Sequence, residues 1–338
     1  MIRRSIQTES RAVRFFIAVV LAVVALVASG FAWVQSPLKL ESTVVDIHID
    51  AGSSAREVAH QVAGSGVDVS EDLLYAWFRL SGKSRQIRAG SYELTTGITP
   101  KTLLEKFVRG DQALRSVTIL EGWTFRQARQ ALAKADALKQ DSRGLSDDAI
   151  MAALGRAGQH PEGRFFPDTY TYAKGSSDMD VLGQALKAMD KQLEAAWSLR
   201  RANQHLQTPE QALILASIIE KETGKTADQA LISSVFHNRM QIGMRLQTDP
   251  TVIYGLGERF DGNLRRSDLL ADTPYNTYTR NGLPPTPISL PGKSALIAAI
   301  QPVSSKALYF VARGDGSSYF SESLDEHNRA VDKYQRGR

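Results

Sequence analysis

The chain of 338 residues predicts an α+β protein with a single N-terminal transmembrane helix, a small α/β module and a larger mixed α+β domain. Three observations carry that prediction. Residues 15–34, FFIAVVLAVVALVASGFAWV, form an apolar run without one charge. Three later segments repeat a short alternating run, a glycine and a hydroxyl-capped helix start. Beyond them, helix-period stretches are separated by Gly- and Pro-rich loops and end near a hairpin signal. A hydrophobic share of 43% with 23% charged residues is that of an ordinary globular chain, which argues against extensive disorder.

The first element is the apolar run. At 1.5 Å rise per residue it makes a helix about 30 Å long, the thickness of a bilayer's hydrocarbon core. A soluble core helix of that length would need a polar stripe, and none is present. A cleaved signal peptide is the competing reading, but its apolar region spans only about 7–15 residues. Trp33 sits at the far end, where an interfacial aromatic anchor belongs. Residues 1–14 carry Arg3, Arg4, Arg11 and Arg14 against Glu9, a net +3. That flank predicts a cytoplasmic tail, with residues from about 36 onward outside the membrane. It also accounts for most of the chain's +5, leaving no basic groove for a nucleic acid.

The repeated segments are DIHIDAGSSAREVA (46–59), YELTTGITPKTLL (92–104) and VTILEGWTFRQAR (117–129), aligned on Gly52/Ser54/Arg56, Gly97/Thr99/Lys101 and Gly122/Thr124/Arg126. Each predicts a strand, a glycine turn and a helix capped by its hydroxyl. Ser54 with Glu57, and Thr124 with Gln127, fit capping boxes, and Pro100 follows Thr99 at the favoured first position. The pattern admits two readings, a recurrent strand–helix turn with no common function or a small glycan-binding module. SEDLLYAWFRLS (70–81) predicts a further capped helix whose aromatics belong to the core. From 125 to 203 the pattern is mainly helical, interrupted by GQHPEGRFFPDTYTYAKGSS (158–177), too rich in Gly, Pro and aromatics for a floppy linker and expected as a packed, functional loop. Further helices are expected over 226–242 and 292–300, with a proline-punctuated loop over 272–292. ALYFVA and SSYFSE flank RGDG and predict a hairpin.

Several chemistries fail on spacing. The two GKS runs, at 82–84 and 292–294, carry Trp77 and Pro287 where a phosphate-binding loop needs glycine. There is no nucleophile elbow, no dinucleotide fingerprint and no histidine pair at zincin spacing. With no cysteine, neither a thiol nucleophile nor a cysteine metal site is available. No metal and no cofactor are expected; carboxylates, hydroxyls and amides remain.

TPEQALILASIIEKETG (208–224) places carboxylates unusually. Thr208 is the expected N-cap, with Pro209 at the first position, Gln211 completing a capping box and Gly224 ending the helix. Ala212–Ile219 is apolar on every face except Ser217, so the helix is buried and its last turn emerges with Glu220, Lys221 and Glu222. At about 100° per residue the two glutamates diverge by about 200°. Burial and the negative end of the helix dipole both raise a carboxyl pKa, which suits a general acid. The alternative is a pair of surface glutamates bridged to Lys221 or Lys225, and periodicity does not choose between Glu220 and Glu222.

Downstream stand MRLQTDPTVIYGLG, PYNTYTRNGLPPTPISLPG and SESLDEHNRAV. With EGRFFPDTY, RAGSYEL, ILEGWTF and IIEKET, these ordered segments closely resemble the YceG-like family of endolytic murein transglycosylases. The resemblance covers nearly the whole chain, anchor included. It implies a cell inner membrane protein with a cytoplasmic tail (1–14), a transmembrane anchor (15–34), a LysM-like module (36–112) and a catalytic domain (113–338) in the periplasm. It implies internal cleavage of nascent peptidoglycan strands, leaving 1,6-anhydro-N-acetylmuramic acid ends, with peptidoglycan synthases as expected partners. The family's catalytic glutamate falls on the first Glu of IIEKE, Glu220.

A hydrolysing glycosidase needs two carboxyls, whereas a lytic transglycosylase can work with one. Glu220 would protonate the glycosidic oxygen between N-acetylmuramic acid and N-acetylglucosamine, then accept the proton of the muramic C6 hydroxyl as it closes onto C1. Gln247, Thr248, Tyr275, Asn276 and Tyr278 are the candidate sugar-binding residues. Glu222 is read as a supporting partner, and Asp168 and Glu162 as acids the fold could bring near. Two other functions stay open: an inverting muramidase with Asp249 activating water, and a non-catalytic peptidoglycan-binding scaffold for wall-synthesis proteins.

Overall fold

A computed structural model describes residues 2–200 and 205–337. The end of the helical tract expected up to 203 lies outside the described residues, as do Met1 and Arg338, the ends of the expected tail and catalytic domain. The chain divides into two compact units, one holding the residues up to Arg115 with Ala173–Gly175, the other Ser116–Tyr172 and the residues from Ser176 onward.

The first unit opens with α1 (Ile2–Gln35). Within it, Val13–Gln35 is apolar and long enough to cross a membrane; its most apolar stretch is not buried inside the protein, whereas Val34 near its end is. There follow β1 (Lys39–Leu40), β2 (Val44–Ile49), α2 (Ala55–Gly64), β3 (Val67–Asp68), α3 (Glu71–Leu80), β4 (Gly90–Thr95) and α4 (Pro100–Arg109). β2 pairs antiparallel with β4 and β1 with β3. β2 alternates exposed and buried residues strictly, so Val45, Ile47 and Ile49 face a core completed by Leu74, Phe78, Tyr92 and Phe107. The expected caps form: Ser54 and Thr99 each accept the backbone N–H three residues on. Gly52 and Gly97 hold φ of 88° and 93°, a conformation that favours glycine.

The second unit holds most of β5 (Leu114–Thr118, its first two residues in the first unit), α5 (Phe125–Ala133), α6 (Asp147–Ala153), most of β6 (Thr169–Ala173, its last residue in the first unit), α7 (Asp178–Ser198) and α8 (Pro209–Glu222). It continues with α9 (Thr226–Gln241), α10 (Asp249–Leu256), α11 (Arg266–Leu270), α12 (Lys293–Ile300), β7 (Tyr309–Ala312), β8 (Ser318–Ser321) and α13 (Leu324–Gln335). β5 pairs with β6, and β7 with β8 as the expected antiparallel hairpin. The stretch 158–177, expected as a loop, holds β6 as well, because TYTYA alternates buried tyrosines with outward threonines. Asp249–Pro250 begins a helix, proline fitting its first turn.

α8 is the centre of this unit. Every residue from Ala212 to Ile219 is buried, in a cluster with α7, α9 and α12. Thr208 caps the helix by accepting the Gln211 N–H at 3.2 Å. The expected capping box does not close, because the Gln211 side chain accepts from Gln207 N–H instead. Nor does Gly224 end the helix: Thr223 leaves it in extended conformation. The helix thus stops at Glu222, with both glutamates still on helical backbone.

Candidate active site

The all-round apolar surface of α8 leaves Ser217 as its one polar side chain between Ala212 and Ile219, and that residue anchors the 288–292 loop. Ser217 Oγ accepts the Ile288 N–H at 3.0 Å, and Ser289 Oγ donates to the Ser217 carbonyl at 3.0 Å. The loop is held from its other side by the 121–124 turn. Gly122 N–H donates to the Leu290 carbonyl at 2.9 Å, and Leu290 N–H donates to the Trp123 carbonyl at 2.6 Å. These bonds bring Gly292 N–H to Glu220 Oε2 at 3.0 Å.

Glu220 is half-buried, and burial pushes its carboxyl pKa up. The Gly292 N–H opposes that shift, the Glu121 carboxylate reinforces it, and Lys221 opposes it. Lys221 is held in place by donating from Nζ to the Gly122 carbonyl at 3.2 Å. Gly292 matters for lack of a side chain, since a Cβ there would lie 1.9 Å from Glu121 Oε1. Glu121 is therefore a member of the site that periodicity does not reveal; it lies on the exposed turn of the ILEGWTF segment.

Glu222 points elsewhere, as the helical angle requires. Its Oε1 accepts a hydrogen bond from Thr248 Oγ1. Burial raises its pKa to about 7, opposed by the Thr248 hydroxyl, reinforced by Asp249 and opposed by Arg239. Of the candidate sugar-binding residues, Gln247, Thr248 and Tyr278 gather on this side. Gln247 is exposed, with an unusual φ of 47°, and its N–H donates to the Thr277 carbonyl. Thr248 is buried, and its N–H donates to Thr277 Oγ1 at 3.1 Å. Tyr278 donates its hydroxyl to Asp249 Oδ1, so Asp249 belongs to the Glu222 side. Tyr275 pairs hydroxyls with Thr286 at 2.8 Å.

Asn276, expected among the sugar-binding residues, has its side chain turned inward. It is 0% exposed and donates from Nδ2 to the carbonyls of Asp268, Leu269 and Ala271. Its Oδ1 accepts the Tyr278 N–H at 2.8 Å. With both ends of the amide committed, this residue orders the loop and presents no free polar atom to a sugar.

A cleft of about 960 Å³ opens beside the end of α8, lined by Lys221, Phe125, His160, Glu162, Tyr254 and Tyr275 among others. The Tyr254 and Tyr275 rings meet edge-on at 4.9 Å. Glu162, only 4% exposed, accepts Phe125 N–H at 2.8 Å and the Tyr254 hydroxyl at 3.1 Å. Its pKa is raised to about 7 by burial, against the pull of those two donors. Asp168 is exposed and spends one carboxylate oxygen on the neighbouring Thr169 N–H, apart from this cleft. Among the described residues no cluster of His, Asp and Glu is arranged to hold a metal ion. The arrangement offers a half-buried acid with a raised pKa and a fixed amide donor; the aromatic-walled cleft is lined by the neighbouring Lys221, and Glu220 is not among its lining residues.

The profile of the YceG-like family matches residues 47–333. A protein of Bacillus subtilis (strain 168) named endolytic murein transglycosylase is 32% identical over 317 residues, covering 88% of this chain and 87% of its own. A protein of the same name from Streptococcus pneumoniae serotype 2 is 27% identical over 322 residues, and the matched region is 58% of its length. The crystal structure of a yceG-like protein from Listeria monocytogenes superposes with a TM-score of 0.53 at 31% identity, covering 85% of this chain and 98% of that one.

Proposed function

The chain belongs to the YceG-like family, and from that premise we propose that it cleaves peptidoglycan with Glu220 as its single acid and base. The protein is a murein transglycosylase, a lytic enzyme acting inside peptidoglycan strands. The observation that carries the assignment of Glu220 is its setting. A buried helix delivers the carboxyl to a 3.0 Å bond from Gly292 N–H, with its pKa raised by burial and by Glu121. A carboxyl so placed is protonated more readily than a free glutamate and can lend its proton to a leaving group.

In the proposed reaction, Glu220 gives its proton to the glycosidic oxygen as the bond from muramic C1 breaks. The departing N-acetylglucosamine leaves with that proton as a free hydroxyl. The resulting carboxylate, supported by the Gly292 amide, takes the proton of the muramic C6 hydroxyl, and O6 bonds to C1. Water is not consumed, so one carboxyl suffices. Tyr275 and Gln247 are assigned to sugar contacts. Thr248, Asn276 and Tyr278 act from behind by holding Glu222 and the 272–292 loop. α1 is assigned as an inner-membrane anchor with a cytoplasmic N-terminus, the first unit as the LysM-like module, and synthases as partners.

The test is digestion of uncrosslinked strands followed by mass spectrometry of the new ends. Anhydro-muramic ends that vanish in Glu220→Gln support the reading. Reducing muramic ends would replace it with a muramidase, for which Glu121, whose charge acts on Glu220, stands better placed than Asp249.

A further inference from the structure

α3 carries two apolar stripes. Leu74 and Phe78 are fully buried in the core of the first unit. Leu73, Ala76, Trp77 and Leu80 recur at spacings of three, four and seven and so share a second face of the helix. That face is open at its two ends, Leu73 being 54% exposed and Leu80 86%, while Trp77 between them is half-buried and donates its Nε1–H to the Pro100 carbonyl at 3.1 Å. It forms one wall of a groove of about 680 Å³, whose opposite wall is the last part of α1, including Leu26, Phe31 and Val34. Lys83, Lys101 and Glu105 also line the groove, giving it two cations against one anion.

The wall supplied by α1 decides what fills this groove. Leu26, Phe31 and Val34 lie within Val13–Gln35, the stretch apolar enough to cross a membrane. From Leu26 to Val34 the helix rises about 12 Å, most of the depth of one leaflet's hydrocarbon. The medium around those residues is therefore the medium of the groove, which α3 lines from the other side. Trp33 and Trp77 belong to the same groove, as aromatic residues do at a membrane interface.

We propose that the groove between α1 and α3 is filled by phospholipid of the leaflet facing the body of the protein. An acyl chain lies against Leu73 and Leu80, and Lys83 and Lys101 meet phosphate groups. α3 is then an interfacial helix, and the first unit is held against the bilayer by its own surface as well as by the anchor. The inference rests on α1 being an uncleaved anchor.

The chain has no cysteine, so single cysteines report single positions. Full-length Leu80→Cys, Val24→Cys and Thr96→Cys would each be nitroxide-labelled in phosphatidylethanolamine/phosphatidylglycerol vesicles and scored for collision with oxygen, which enters lipid, and with a nickel chelate, which does not. The expected result is an oxygen-favoured label at Leu80, shallower than Val24 at the centre of the span, with a nickel-favoured label at Thr96. A nickel-favoured Leu80 beside an oxygen-favoured Val24 overturns the lipid-filled groove and leaves the anchor standing. A nickel-favoured Val24 overturns the anchor, and this inference with it. A Leu80 label shielded from both reagents means that protein covers the groove and also overturns the proposal.

Discussion

Gly292 donates its backbone N–H to Glu220 Oε2 at 3.0 Å, and the space where a Gly292 side chain would begin is taken by Glu121. The acid therefore meets opposed influences, an amide that favours its ionised form and a carboxylate that favours its protonated form.

Replacing Glu220 by Gln removes the titrating proton with little change of shape. Turnover is expected to fall by about 10²–10⁴-fold, the usual contribution of general acid–base catalysis. Binding of glycan strands, measured by sedimentation with purified peptidoglycan, should persist.

Glu121→Gln deletes the neighbouring negative charge, so the Glu220 pKa should fall. The alkaline limb of the rate–pH profile, where Glu220 loses its proton, then moves to lower pH. Gly292→Ala should shift the profile in the same direction, because its methyl group displaces the Glu121 carboxylate. Combining the two changes should add little, which a double-mutant cycle on the limb's midpoint would measure.

Thr248→Val keeps the shape but removes the hydroxyl that donates to Glu222. An enclosed carboxyl without its donor costs about 1–3 kcal/mol, to be read from urea unfolding. Asn276→Ala should also destabilise by at least that much, since three loop carbonyls lose their donor at once. A residue that only gripped sugar would alter KM and leave the unfolding midpoint in place.

Glu162 and Glu222 both have folded pKa values of about 7 against an ordinary value of 4.5. Below pH 4.5 each is protonated in the folded and unfolded chain alike, and its stabilisation is fully present. As pH rises from there through about 7 the unfolded chain ionises first, so the folded state loses stability. Each carboxyl accounts for a loss on the order of 3 kcal/mol across that window. The second unit should melt at a higher temperature at pH 5 than at pH 8, and Glu162→Gln should flatten the difference.

Local rules made much of this protein legible in the sequence. The charge-free run 15–34, the capped turns at Ser54, Thr99 and Thr124, and the buried tract Ala212–Ile219 each depend on residues within a few positions of one another. The divergence of Glu220 and Glu222 followed from 100° per residue alone. What surrounds each glutamate did not, because Gly292 is 72 residues from Glu220 and Thr248 is 26 residues from Glu222. Glu121 and Glu162 acquire their roles from neighbours equally remote, and Asn276 becomes a loop-ordering residue only when three carbonyls close around it. Periodicity encodes which face of an element turns inward; the partners that shift a pKa or satisfy a buried amide are set when distant segments pack, and no local spacing carries that information.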